Sequence, residues 1–192
     1  FKLKQYPQAI TYLERAMGNG VAEDPVVLAL GDSYAKTNNY QRAAQLYATV
    51  AGAKENQATY WYNLGALRER SGDSAGAEEA YRKALLIDDR DVDTLNNLGL
   101  LLYKRGNFTE ARTHFEKALG LTPTSARAQR NFVAACVSMG DYQAAFPYMK
   151  KMLAANPKDK DLRLDYAAAL FQMGESENAE KEFRRVLAAD KK

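Results

Sequence analysis

Cysteine and histidine are almost missing from this chain: Cys136 and His114 are the only ones. One thiol cannot close an intramolecular disulfide, and the two residues together are too few ligands for a structural zinc site. The same scarcity removes most nucleophile–base pairs, and no metal or cofactor is expected. Proline occurs only 5 times and glycine 12 times in 192 residues, which leaves no room for long flexible linkers. No apolar run approaches the ~20 residues needed to cross a bilayer as a helix. Charge of one sign is lacking too. Against 24 acidic side chains stand 27 basic ones, a net +3, too small an imbalance to argue for nucleic acid or an anionic membrane. A lone cysteine is compatible with either cytoplasm or periplasm. The chain opens on Phe1 with no signal-peptide pattern after it, so a fragment or processed piece is expected, with any targeting segment outside it.

What is present is a repeat. From Ala9, steps of 34 residues meet Ala43, Ala77, Ala111, Ala145 and Ala179 without insertion or deletion. Four residues beyond each stand Leu13, Tyr47, Tyr81, Phe115, Met149 and Phe183, and a further small or apolar pair follows, as in Ala84-Leu85 and Ala118-Leu119. Spacings of four, then three to four, place these residues on one face of a helix. A preceding helix carries the apolar column Leu30, Leu64, Leu98, Phe132 and Tyr166. Its next residue is small at Gly31, Gly65, Gly99 and Ala167, with Val133 the exception. Small residues here predict a close approach of the two helices. Between them the chain reads Gly72-Asp73, Gly106-Asn107, Gly140-Asp141 and Gly174-Glu175, a helix-ending glycine followed by a polar cap. Asn107 with Glu110 has the spacing of a capping box.

These residues carry a family resemblance. Tyr60-Trp61-Tyr62-Asn63-Leu64-Gly65, Ala77, Tyr81 and Ala84 resemble the tetratricopeptide repeat signature, as do Asn97-Leu98-Gly99, Ala111, Phe115, Ala118 and Pro123. The resemblance covers essentially the whole chain. It implies an all-α fold: antiparallel helix pairs stacked as a right-handed superhelical solenoid, its concave wall made mainly by the first helix of each pair. One array is expected over 1–192, a partial repeat at 1–23 and repeats at about 24–57, 58–91, 92–125, 126–159 and 160–192. Arg68 and Cys136 depart from the pattern where a large apolar side chain is common, which predicts local repacking. Pro147 falls several residues into a second helix, where proline costs ~3 kcal/mol, and predicts a kink or a delayed helix start.

Other chemistry finds little support. Cys136 falls on an inward face and reads as a buried, inert thiol, and His114 as a partly exposed surface residue. The run from Asp88 to Asp93 resembles the start of a calcium loop but lacks its turn glycine, and Leu100 stands where the bidentate glutamate belongs. Asn107-Phe108-Thr109 matches a glycosylation acceptor, although capping already accounts for Asn107. No phosphate-binding glycine loop occurs. The chain is therefore read as non-catalytic.

The concave wall is the expected working surface, with protein or peptide as partner. One residue before each core position of the first helices lie Ala29, Asn63, Asn97, Asn131 and Asp165. A primary amide both donates and accepts, as a peptide backbone requires, each bond contributing ~1 kcal/mol net. A similar asparagine ladder binds extended peptides in the repeat domain of O-linked N-acetylglucosamine transferases. The alternative is that this asparagine is simply common in the repeat and bonds to the adjacent helix; both readings stay open. Neighbouring columns add Tyr62, Leu100, Tyr103 and Phe171 as anchors and Lys36, Arg70, Lys104 and Arg130 as cations. Aromatics beside arginine are favoured at binding hot spots. The cations point to an acidic partner segment or else form a solvated rim. The carboxylate clamp known in this family is not expected, because the matching places hold Leu28 and Asp32, Tyr62 and Ala66, then Asn96 and Leu100. Bare apolar residues at the two ends (Phe1 and Leu3; Phe183, Val186 and Leu187) make end-to-end homodimers an expectation. The readings from the sequence are thus a peptide-binding scaffold, a self-assembly module acting through its ends or convex face, or a regulatory repeat domain of a larger enzyme.

Overall fold

The computed structural model describes residues 5–53 and 57–189; Phe1 and Leu3, one of the two expected apolar ends, lie outside them. Among the described residues the regular structure is entirely helical: α1 (Tyr6–Gly18), α2 (Asp24–Lys36), α3 (Tyr40–Ala53), α4 (Ala58–Arg70), α5 (Ser74–Ile87), α6 (Val92–Lys104), α7 (Phe108–Leu121), α8 (Ala126–Ser138), α9 (Tyr142–Ala155), α10 (Lys160–Gln172) and α11 (Ser176–Ala189). The chain forms two compact units, Phe1–Leu101 and Leu102–Lys192. Within the first, α1 to α5 pack in sequence order; within the second, α7 to α11 do the same. The expected class, all-α helix pairs, is what the chain adopts.

The helix ends follow from short polar side chains. Asp73 accepts from the Gly76 N–H at 2.9 Å and Asp141 from the Ala144 N–H at 3.2 Å. Asn107 accepts from the Glu110 N–H at 3.4 Å and donates its amide to Glu110 Oε2 at 2.8 Å. Each satisfies an orphan donor of the first turn. The pairs turn through a left-handed residue: Gly72 has φ 87°, and the Asp73 N–H reaches back to the Arg68 carbonyl at 2.9 Å, the six-to-one bond of a Schellman end. In the α2–α3 turn Asn38 occupies this register with φ 61°, a conformation asparagine tolerates better than other side chains.

The alanine column is why paired helices come so close. Ala43, Ala77, Ala111 and Ala145 are wholly buried. In the first unit the ring of the next column covers the glycine of the preceding helix. A Cβ added to Gly65 would stand 2.6 Å from the Tyr81 ring, and one added to Gly31 would stand 2.2 Å from the Tyr47 hydroxyl. In the second unit Phe115 and Met149 fill the same register with no exposed surface, each contributing ~1.5–3 kcal/mol by burial.

The departures from the repeat pattern are met locally. Arg68 donates to the Gly76 carbonyl at 3.0 Å and lies 3.8 Å from Asp73 and 3.9 Å from Glu79, so it pins the α4–α5 turn where an apolar side chain would have packed. Cys136 is buried, and burial pushes its thiol up to about 11, the Arg112 guanidinium pulling weakly the other way. It is held as an unreactive thiol at neutral pH. Pro147 does not delay its helix: α9 starts on its Asp141 cap and runs unbroken through the proline to Ala155. Pro147 is exposed, while the preceding Phe146 stacks on Tyr166 at 5.0 Å and 16°. The acidic run before α6 serves as a helix start, with the Asp91 carboxylate accepting from the hydroxyl and N–H of Thr94.

Candidate functional site

In the first unit, the first helices α2 and α4 enclose a pocket of about 410 Å³. From α2 come Leu28, Gly31, Asp32 and Ala35; from α4 come Tyr62, Asn63, Ala66 and Arg70; Tyr47 of α3 closes the floor. Leu28, Asp32 and Ala35 stand four and three residues apart, and Tyr62, Ala66 and Arg70 four and four, so one face of each helix forms each wall.

The floor is phenolic. Tyr47 is buried, its hydroxyl donating to the Leu28 carbonyl at 3.3 Å. Burial, reinforced by the Asp32 carboxylate, pushes this phenol up to about 12, so it remains a neutral donor. Tyr81 is raised further for the same reasons, burial first and then the charge of Glu69, to which it donates at 3.2 Å. Tyr62 lies against the Tyr81 ring at 6.2 Å, and its oxygen accepts from the Asn97 amide at 3.5 Å.

Of the anchors read from the sequence, Tyr62, Asn63 and Arg70 meet in this pocket, and Asn97 joins them through Tyr62. Asn63 is half-buried and has no hydrogen-bond partner among the described residues. The Arg70 guanidinium rests on the Tyr40 ring at 5.5 Å. Lys36 is exposed at the end of α2 and does not line the pocket, and Leu100 is half-buried on α6.

The second unit holds the remaining anchors. Tyr103 bonds to Ser138 at 3.0 Å and tilts against Phe108 at 5.2 Å, so its ring and hydroxyl are both engaged. Lys104 is exposed, and Asn131 is half-buried on α8. Arg130 lines a separate pocket of about 180 Å³, with Lys151, Asn156 and Asp159. Phe171 is 58% exposed on α10, with Leu164 on the same helix 42% exposed. Asp165, in the asparagine column, has its carboxyl raised by burial and by the charges of Asp161 and Asp159.

Column reasoning passed over Asp32. It is the one charged residue among Asp32, Ala66, Leu100, Ala134 and Ala168, and that contrast was the available signal. The same reasoning placed Asn96 beside Tyr62 on the wall. Asn96 is 1% exposed and donates instead to the Val92 carbonyl at 2.8 Å. Among the described residues no helix is long and apolar enough to cross a membrane.

Comparison with known proteins agrees with this architecture. The tetratricopeptide repeat profile matches residues 28–192. No curated protein matches the sequence. Among solved structures, YrrB, described as a tetratricopeptide repeat protein with an unusual peptide-binding site, superposes with a TM-score of 0.81 at 16% identity, over 92% of this chain and 91% of its own. MamA does so at 0.75 and 20% identity, over 87% of this chain and 91% of its own. A tetratricopeptide repeat protein from Parabacteroides merdae ATCC 43184 does so at 0.65 and 19% identity, over 97% and 80%. At such identities the likeness is one of fold. The profile, spanning all but the first 27 residues, goes further: the chain belongs to the tetratricopeptide repeat family.

Proposed function

We propose that this chain is a non-catalytic scaffold that binds an extended protein segment along the exposed faces of its first helices. The observation carrying the reading is Asn63, a half-buried amide in the wall of a pocket with no hydrogen-bond partner among the described residues. Such an amide can give one bond and take one from a peptide backbone. Tyr62 and Arg70 beside it are residue types favoured at binding hot spots. In the second unit Phe171 and Leu164 on α10 offer apolar contact area. YrrB lends support as a protein of the same fold with a peptide-binding site.

The test is peptide-display selection on the wild-type chain and on an Asn63→Ala, Asn97→Ala, Asn131→Ala variant with unchanged helical content. The expected result is enrichment of extended peptides by the wild type and its loss in the variant. Equal enrichment by both, or by neither, overturns the reading. A second reading, self-association through α11, rests on Phe183 and Leu187, which are 37% and 64% exposed.

A further inference from the structure

The α2–α4 pocket holds two ionic groups that the described residues leave without an ion pair. Asp32 is exposed on the α2 wall and has no ion-pair or hydrogen-bond partner among the described residues. Lys36, one turn further along the same helix and well placed to pair with it, is likewise without a carboxylate partner. On the α4 wall Arg70 has no ion-pair partner among the described residues and rests on the face of Tyr40, a contact that leaves its N–H edge available. The other acid close by, Glu69, is already engaged by the Tyr81 hydroxyl. Some surface charges elsewhere in this unit do find partners: Arg82 with Glu78 at 2.8 Å, Lys83 with Glu79 at 2.8 Å. An acid and a base facing a common pocket, both unspent, set this wall apart.

We infer that the pocket reads a pair of oppositely charged side chains in the bound segment, a basic one on Asp32 and an acidic one on Arg70, with Asn63 holding the backbone between them. Asp32 and Arg70 line opposite walls of one pocket, and side chains i and i+2 of an extended segment, both on one side, stand ~7 Å apart. Two residues in i, i+2 relation therefore span the walls. This inference rests on the proposed peptide-binding function and refines its partner: mixed charge at this pocket, not simple acidity.

The probes are three extended peptide pools with fixed cores Lys-X-Glu, Glu-X-Lys and Ser-X-Ser, titrated by fluorescence anisotropy against the wild type, Asp32→Asn and Arg70→Gln. The wild type is expected to prefer one of the two charged orders over Ser-X-Ser. Asp32→Asn should weaken that order about fivefold, by removing the benefit of lysine alone. Arg70→Gln should remove the benefit of glutamate alone, and both effects should shrink in high salt. Equal binding of all three pools, or a lysine preference that survives Asp32→Asn, overturns the inference while leaving the peptide-binding reading in place. Absence of binding by any pool, together with failure of the display selection, sinks both.

Discussion

The two units place different side chains in the same register. In the first, Tyr47 and Tyr81 pack over Gly31 and Gly65; in the second, Phe115 and Met149 stand in the same register, Val133 taking the glycine's place before Met149. All four of these large side chains are almost completely buried. The difference is an oxygen. Tyr47 carries its hydroxyl through the helix pair to the floor of the α2–α4 pocket, and Tyr81 delivers its own to Glu69, whereas Phe115 and Met149 end inside the core. One repeat pattern thus yields a unit whose core is coupled to its polar wall and another whose core is sealed. Glycine is what permits the coupling, because a ring long enough to reach the wall needs the space a Cβ would take.

This contrast can be broken first at the glycine. Gly65→Ala should cost about 1–3 kcal/mol by urea unfolding, since its Cβ would press on the Tyr81 ring. Combination with Tyr81→Leu should show a favourable coupling as the clash is relieved. A neutral Gly65→Ala would mean that the ring moves aside freely. A somewhat smaller effect is expected from moving the oxygen between units. Tyr81→Phe gives up its bond to Glu69 and should cost about 1 kcal/mol. Phe115→Tyr places a hydroxyl in a sealed core and should also destabilise, without gaining any bond to a wall. If Phe115→Tyr were stabilising, the second core would not be sealed as described.

The smallest effect expected concerns pH. The Asp165 carboxyl is raised by burial and by Asp161 and Asp159, so the folded chain holds this proton more tightly than the unfolded chain does. Its contribution is present below the ordinary carboxylate range and is lost as pH rises through the raised value. Asp165→Asn should therefore shift the urea midpoint upward slightly at pH 7 and leave it unchanged near pH 3. A shift of equal size at both would attribute the gain to packing instead.

The fold was legible because the alanine register is strict and nothing interrupts it: one buried small residue per pair forces the helices together, and periodicity alone shows that. Tyr62 and Asn63 were legible on the wall for the same reason. What could not be read were choices made by single side chains within a few ångströms. Asn96 turns down to a carbonyl one turn back, and Arg130 lines a pocket of its own unit. Arg68 trades core packing for a grip on its own turn. Column positions fix a Cα direction, not which neighbour a long polar side chain finds. Pro147 illustrates the same limit, since the Asp141 cap sets the start of α9 before the proline is reached.

The lone cysteine has a practical side. With Cys136 buried and its thiol held protonated, the protein is expected to react only slowly with thiol reagents. A single cysteine introduced on the surface would carry a probe almost alone, with no need for a cysteine-free background. The slow modification of Cys136 that remains would become a clock for the parting of α8 from its neighbours.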